Sequence, residues 1–197
     1  IIYALMAFFV GCGFYHIVNL SKYQKDFALI GKRIKTDVQA VIDLQEYLDG
    51  TNSEQNKLFQ SDKLNAKLEE YRAAYQRTKS TSFAAPFVDI TDFFNGEFLD
   101  ELGHTGFCEL VPGTMTGLGI LGTFVGLVLG VGGFDTSTTD AVMVSITHLL
   151  GGMSTAFLTS IVGVLLSLLF SHFYKMYHDS ADESLEDFVT AFHDNNL

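Results

Sequence analysis

Charged side chains are nearly absent from one long stretch of this sequence. Within residues 111–174 only Asp135 and Asp140 are charged, and both lie between two apolar runs. Lysine and arginine lie within residues 22–79, apart from Lys175. The chain has a formal net charge of -11 although 48% of its residues are hydrophobic. Such separation of charge from apolar sequence is typical of a membrane protein with soluble parts.

The sequence also lacks the patterns of several functional classes. Its two cysteines, Cys12 and Cys108, fit neither a disulfide framework nor a metal motif, and we interpret both as small apolar residues. The glycine-rich run at 117–126 has no lysine and lies in apolar sequence, so it is not a phosphate-binding loop. No nucleophile–base pair or metal spacing is present, and we expect no enzyme, no cofactor and no metal site. The basic residues are outnumbered by acidic ones, which argues against direct nucleic-acid binding by this segment.

Three apolar segments are long enough to cross a lipid bilayer. Residues 1–20 are near the minimum length needed to cross a hydrocarbon core of about 30 Å. They do not resemble a signal peptide, because no basic residue precedes the apolar run. The alternative, an interfacial helix, is disfavoured because the segment is apolar all round. Its abrupt start without a methionine suggests that it is clipped. The second segment, 111–134, has Pro112 where a helix start is expected, and a turn at 135–140 leads to the third segment, 141–171.

Basic residues indicate how these segments are oriented. Lys22 and Lys25 begin a basic run after the first segment, and Lys175 follows the third, whereas the turn between the second and third has no basic residue. The positive-inside rule places residues 21–110 and 172–197 in the cytoplasm, with the N-terminus and the turn outside. The predicted fold class is therefore an all-α integral membrane protein, with three transmembrane helices and long cytoplasmic helical extensions.

The cytoplasmic parts have a helical pattern. Apolar residues recur at steps of three and four as far as Leu48, which predicts that the first helix continues into the cytoplasm and ends at Gly50. A second helix is predicted at about 57–78, and the cap and start of a short helix at 92–97, near the membrane. The basic and acidic residues of the second helix are interpreted mainly as a solvated face.

The last part of the chain predicts a helical bundle outside the membrane. The helix from Ala141 to Lys175 would be about 52 Å long at about 1.5 Å per residue, so it should project from the bilayer and continue through 172–197. Leu185, Phe188 and Phe192 form an apolar stripe there. Because the chain stops within this pattern, we expect a longer cytoplasmic tail.

Hydroxyls and glycines line one face of each of the last two apolar helices. Thr116 and Thr123 lie on the same face as glycines spaced by three and four residues, and Thr159 does so on the other helix. Small residues at this spacing allow helices to approach closely in lipid. Packing, with threonines bonded to the carbonyl four residues back, is thus the alternative to a pore-lining role, and for Thr116 the favoured one. The predicted helix-packing residues are Gly119, Gly122, Gly126, Gly152 and Gly163.

These two helices have no buried carboxylate, lysine or arginine. His148 is the only ionisable candidate inside them, and we interpret it as a hydrogen-bonded packing residue rather than a proton relay. If the chain conducts protons, a partner must therefore supply the titrating group.

Two motifs resemble those of a known family. The run Gly119-Ile-Leu-Gly-Thr-Phe-Val-Gly126, followed by Thr155-Ala-Phe-Leu-Thr-Ser-Ile-Val-Gly163, resembles the proton-channel family that includes MotA, TolQ and ExbB. The layout of three spans, with a large cytoplasmic segment between the first two, is also similar to that of TolQ and ExbB. The resemblance covers most of the chain in layout and is specific in its motifs over roughly 110–175.

This resemblance implies one subunit of an ion-driven rotary motor in the bacterial inner membrane. In the family, a homopentamer surrounds the single spans of a dimeric partner such as MotB, TolR or ExbD, and each partner span carries an essential Asp. Motif matching gives Thr123 the role of the second-span channel threonine, and Ser160 falls where TolQ and ExbB have a third-span threonine. Further candidates for the ion pathway are Thr159, Thr155 and Thr116. The transported ion would be H⁺, with Na⁺ as the alternative.

One position departs from TolQ and ExbB, which usually have a glutamate where this chain has Thr155. The run VPGTMTGLGILGTFVGL, preceded by Phe93, Phe94, Asn95 and Glu97, is more similar to the ZorA group, the motor-like membrane subunits of Zorya anti-phage systems. That likeness implies a role in anti-phage defence and a ZorB-like partner with a peptidoglycan-binding domain. Two alternatives remain: a subunit of TolQ, ExbB or MotA type that energises outer-membrane processes or flagella, and a non-conducting membrane scaffold.

Overall fold

The computed structural model describes residues 1–51, 57–80 and 88–195. Within them the chain forms helices and turns, with no strand. The elements in chain order are α1 (Ile2–Thr36), α2 (Val38–Asp49), α3 (Asp62–Ser80), a 3₁₀ turn (Ile90–Asp92), α4 (Gly96–Gly103), α5 (Thr105–Val131) and α6 (Thr139–Asp194). Helices α1, α5 and α6 are each long and apolar enough to cross a membrane. The all-α class with three candidate spans is therefore confirmed.

Helix α5 begins earlier than Pro112. It starts at Thr105, so the interpretation of Pro112 as a helix start is wrong. The preceding turn is made by His104, which ends α4 in the left-handed conformation at φ 50°. Proline inside a membrane helix is tolerated where neighbouring groups satisfy the freed carbonyl. The turn at His104, rather than Pro112, thus leads the chain into α5.

The helix that begins in the first apolar segment continues well beyond it. Helix α1 runs to Thr36, and Asp37 then interrupts the helix and caps α2 by accepting the backbone N–H of Gln39. Gly50 ends α2 at φ 79°, a conformation that costs glycine little. The helix continues beyond the first apolar segment as predicted, but it ends at Thr36 rather than at Gly50. Gly50 ends the separate helix α2, and the break at Asp37 was not predicted.

The chain divides into two structural units. The span unit comprises Ile1–His16 and Thr105–Lys175, and the bundle unit comprises Ile17–His104 and Met176–Leu197. Helices α1 and α6 each contribute a part to both units.

Aromatic side chains form the core of the bundle unit. The ring of Phe188 lies 5.7 Å from that of Phe27, 5.6 Å from Phe59 and 5.4 Å from Phe94, measured between centroids. All four side chains are 0–2% exposed. Edge-to-face arrangements of this kind add to the free energy gained by burial. The predicted stripe of Leu185, Phe188 and Phe192 is buried in this core.

Polar side chains link the elements of the bundle unit at its surface. Lys35 on α1 contacts Asp187 on α6 at 2.8 Å, and His193 on α6 contacts Asp89 at 2.9 Å. Exposed pairs of this kind contribute little individually to stability.

Candidate functional site

Helices α5 and α6 pack against each other through glycines. A methyl carbon built on Gly163 would lie 2.7 Å from the carbonyl oxygen of Met115 and 2.9 Å from the Cα of Gly119. One built on Gly126 would lie 3.1 Å from the carbonyl oxygen of Gly152. Gly119 of α5 lies beside Gly163 of α6, and Gly126 lies beside Gly152. Residue numbers thus increase along α5 as they decrease along α6, so the two helices are antiparallel. These four predicted packing glycines therefore lie where the two backbones meet, and we call this contact the glycine seam.

One side of the glycine seam is covered by the start of α1. A methyl carbon on Gly122 would meet the side chain of Thr159 and would lie 3.6 Å from Cδ1 of Ile2. Thr159 is 5% exposed, its hydroxyl donates to the Thr155 carbonyl at 2.9 Å, and its oxygen lies 3.2 Å from the Tyr3 hydroxyl. Thr159, predicted for the ion pathway, thus takes part in packing against α1.

Thr123 and Ser160 lie on the other side of the seam. Each residue advances about 100° around a helix, so Thr123 is rotated by that angle from Gly122, and Ser160 by the same angle from Thr159. In antiparallel helices these equal rotations carry both side chains to one side, away from the contact with α1. Ser160 also lies one α5 turn from Thr123 in depth, since a methyl carbon on Gly119 would lie 3.2 Å from the Ser160 Cα.

The hydroxyl of Thr123 is oriented by its own helix. It donates to the carbonyl of Ile120 at 2.6 Å, and the residue is partly exposed. This bond uses the hydroxyl proton and leaves oxygen lone pairs available as acceptors. Thr116, seven residues earlier, lies on nearly the same face of α5, and its hydroxyl donates to the Pro112 carbonyl at 3.2 Å.

Thr155 lies apart from Ser160. Five residues correspond to a rotation of about 140°, which places Thr155 on a different side of α6. Its hydroxyl donates to the Gly151 carbonyl at 3.2 Å, and its side chain lines a groove of about 630 Å³ together with His148. His148 is exposed, so the expected packing role is not seen within this chain. The structure therefore brings together Thr116, Thr123 and Ser160, and separates Thr155 and Thr159 from them.

Sequence reasoning missed Tyr3. Its hydroxyl contacts Thr159, so it fixes a hydroxyl that had been assigned to the pathway. The available signal was the one hydroxyl in the apolar run of residues 1–11.

The connection between these two hydroxyl-bearing helices carries the charged residue Asp135. The backbone N–H of Ser137 donates to the Asp135 carboxylate at 2.8 Å, which lowers the pKa of that carboxyl. The backbone N–H of Asp135 donates to the Ser145 hydroxyl at 2.9 Å, which attaches the connection to α6. The Asp135 carboxylate thus stays ionised between the two helices. Among the described residues, no group of three His, Cys, Asp or Glu side chains could hold a metal ion.

Comparison with known proteins places this chain in a family. A family model described as the anti-phage protein ZorA of the Zorya type I system matches residues 1–195. A Zorya protein ZorA from Escherichia coli strain Crooks is 48% identical over 68 residues, which are 34% of this chain and 12% of the relative. A Zorya protein ZorA from a second Escherichia coli strain is 33% identical over 124 residues, which are 63% of this chain and 16% of the relative. The matched regions are a small part of both relatives. Because the family model matches nearly the whole chain, the chain belongs to the ZorA-like family of anti-phage proteins.

Proposed function

We propose that this chain forms the membrane channel of an ion-driven motor that serves anti-phage defence. The observation that carries the proposal is the placement of Thr123 and Ser160 on one side of the glycine seam, about one helical turn apart. Two hydroxyls so placed can contact the same group on a neighbouring helix. The family membership supports the defence role.

The group that these hydroxyls contact is a carboxyl on a partner helix. A carboxylate in a low-dielectric surrounding has its charged form disfavoured unless polar groups solvate it. Helices α5 and α6 carry no carboxylate between residues 111–134 or 141–171, so the partner supplies it. Thr123 is suited to this contact, because its oxygen accepts a hydrogen bond from a protonated carboxyl or coordinates a cation while its hydroxyl donates to the Ile120 carbonyl.

The assembly that follows is a pentamer around a dimeric partner. Five subunits cannot be equivalent around two carboxyl-bearing helices, so each ion passed advances one ring against the other. The partner has a single span with an Asp and a peptidoglycan-binding domain outside the inner membrane. The N-terminus of this chain lies outside, while residues 21–110 and 172–197 lie in the cytoplasm. The chain has no enzymatic role and no cofactor; the ion is H⁺, and Na⁺ is the alternative.

Replacing Thr123 by valine tests the proposal, since valine keeps the shape and removes the hydroxyl. We expect the Thr123→Val variant to assemble normally and to conduct at least about tenfold less, equivalent to the loss of one hydrogen bond to a charged group. Flux is measured with a pH-sensitive dye in vesicles that contain the full-length protein and its partner. Repeating the assay without sodium separates H⁺ from Na⁺.

The matched control is Thr114→Val. Thr114 also donates to its own helix, to the Leu110 carbonyl at 2.8 Å, but nine residues place it on the opposite face of α5 from Thr123. Normal flux in Thr123→Val, or an equal loss in both variants, would reject the role of Thr123.

A non-conducting scaffold is the competing function, and the glycine seam favours it because close packing alone accounts for the glycines. A scaffold predicts that Thr123→Val and Ser160→Ala leave phage protection intact. A neighbouring gene for a short, single-span protein with a membrane Asp would favour the motor instead.

A further inference from the structure

A cavity in the bundle unit opens beside the part of α1 that follows its apolar segment. Its volume is about 540 Å³, and its wall includes Asn19, Lys22 and Lys25 of α1 and Gln60 and Ser61 from the segment before α3. The wall therefore carries two ammonium groups and two side-chain amides.

The two lysines of this cavity differ from four of the other six lysines of the bundle unit, which form ion pairs with carboxylates. Lys35, Lys57 and Lys79 each have a carboxylate oxygen within 2.7–2.8 Å. Among the ion pairs of the described residues, none includes Lys22 or Lys25. Lys22 contacts the Asn19 side-chain oxygen at 3.3 Å, and both lysines are exposed. Within the part of the chain that the structure describes, no carboxylate forms an ion pair with either lysine.

The acidic residue of the cavity is Asp26, and its carboxylate is already engaged. Asp26 is 7% exposed, and its Oδ2 accepts the backbone N–H of Ser61 at 2.9 Å. Two lysines and one aspartate leave the cavity with a net charge of one positive unit. An anion is the ligand class that this surrounding favours.

The position along α1 indicates where that anion comes from. Helix α1 is continuous from Ile2 to Thr36, and Lys22 and Lys25 follow the apolar residues 1–20 by about 3 and 8 Å at about 1.5 Å per residue. The headgroup layer on each side of a bilayer is roughly 5–8 Å thick, from the difference between total and hydrocarbon thickness. If α1 crosses the membrane, both lysines therefore lie at the depth of lipid phosphates.

We infer that this cavity binds the phosphate of an anionic glycerophospholipid. Lys22 and Lys25 contact the phosphate oxygens, and the amides of Asn19 and Gln60 contact the polar glycerol headgroup. Val18 lies one helical turn before Lys22 on α1 and is 41% exposed, so it offers apolar surface to the acyl chains. The inference requires that α1 spans the membrane and is independent of ion conduction.

The test measures lipid binding to the delipidated full chain in detergent. Native mass spectrometry counts bound dihexanoyl phosphatidylglycerol, with dihexanoyl phosphatidylcholine as the zwitterionic probe and inorganic phosphate as the competitor. We expect the phosphatidylglycerol to bind more tightly than the phosphatidylcholine. A basic residue near a membrane surface contributes about fivefold in affinity, so Lys22→Gln with Lys25→Gln should weaken phosphatidylglycerol binding by about 25-fold.

The matched control is Lys32→Gln with Lys63→Gln. It makes the same change in net charge at two exposed lysines that do not line the cavity, and it should leave binding within about twofold. Circular dichroism verifies that both double variants fold. Equal losses in the two double variants, equal binding of both lipids, or displacement of the lipid by an equal concentration of inorganic phosphate would each overturn the inference.

Discussion

The span unit and the bundle unit are both helical, but they achieve close packing by opposite means. In the span unit, glycines allow the backbones of α5 and α6 to meet, and large side chains such as Phe124 and Phe157 are 58–62% exposed. In the bundle unit, the largest side chains lie inside, where Phe27, Phe59, Phe94 and Phe188 contact one another. The same helix, α6, contributes to both arrangements.

This difference reflects the solvent that each unit is adapted to. In water, burying aromatic rings is strongly favourable, so large residues belong inside. In lipid, the surroundings are as apolar as the side chains, and helix association depends on van der Waals contact between closely approaching backbones. The exposed rings of the span unit are expected in a bilayer, whereas in water so large an apolar surface would favour aggregation.

The largest effect that separates the two units is expected from truncation of an aromatic ring on α6. Phe188→Ala removes a side chain that contacts four other rings and is 0% exposed, and it should destabilise the chain by about 3–5 kcal/mol. Phe157→Ala, on the same helix but 58% exposed, should cost about 0.5 kcal/mol. Thermal unfolding followed by circular dichroism in detergent compares them. Equal costs would show that the two units do not differ as proposed.

An intermediate effect is expected from adding one methyl group to the glycine seam. In Gly163→Ala the new carbon would meet backbone atoms of Met115 and Gly119, which cannot rotate away, so α5 and α6 must separate at a cost of about 1–3 kcal/mol. Gly117→Ala is the control, because a methyl carbon there has no neighbour within 4 Å and alanine favours a helix by up to about 1 kcal/mol. The same unfolding assay measures both. If Gly163→Ala is as stable as Gly117→Ala, close backbone contact does not hold the span unit.

Much of this contrast could be predicted from local sequence. The apolar lengths gave the three candidate spans, and spacing alone placed Gly119 and Gly163 on helix faces that could meet. The stripe of Leu185, Phe188 and Phe192 correctly indicated a buried face. These features depend on periodicity, which a single helix already displays.

The features that escaped prediction depend on contacts between distant parts of the chain. The assignment of Thr159 to packing required the position of α1, because its contact with Tyr3 joins residues that are far apart in the sequence. Gly31, where a methyl carbon would lie 3.2 Å from the Cα of Phe188, gave no sign of a second close approach in the bundle unit. The prediction of a helix start at Pro112 was wrong because it relied on a local preference of proline, whereas α5 begins after the turn at His104.

The smallest effect is the dependence of stability on pH. It should distinguish the two units because the bundle unit contains a hydrogen-bonded carboxylate, that of Asp89. The backbone N–H of Thr91 and then the side chain of His193 hold the pKa of Asp89 below its usual range. A lowered pKa in the folded state stabilises the protein above the unfolded value of about 3.9, and this contribution is lost as pH falls through the folded-state pKa. Because the Asp89 side chain is 36% exposed, we expect less than about 1 kcal/mol.

Asp89→Asn isolates that charge, since asparagine can still accept the N–H of Thr91. The difference in unfolding free energy between the unsubstituted chain and this variant should be present at about pH 5 and close below about pH 4. Asp179→Asn, an equal charge change at an exposed position of α6, controls for net charge. The cost of Gly163→Ala should not vary over the same range, because no titrating group meets the added methyl. A pH-dependent cost for Gly163→Ala, together with a constant difference for Asp89→Asn, would reverse the comparison, because titration would then act on the packing of the glycine seam.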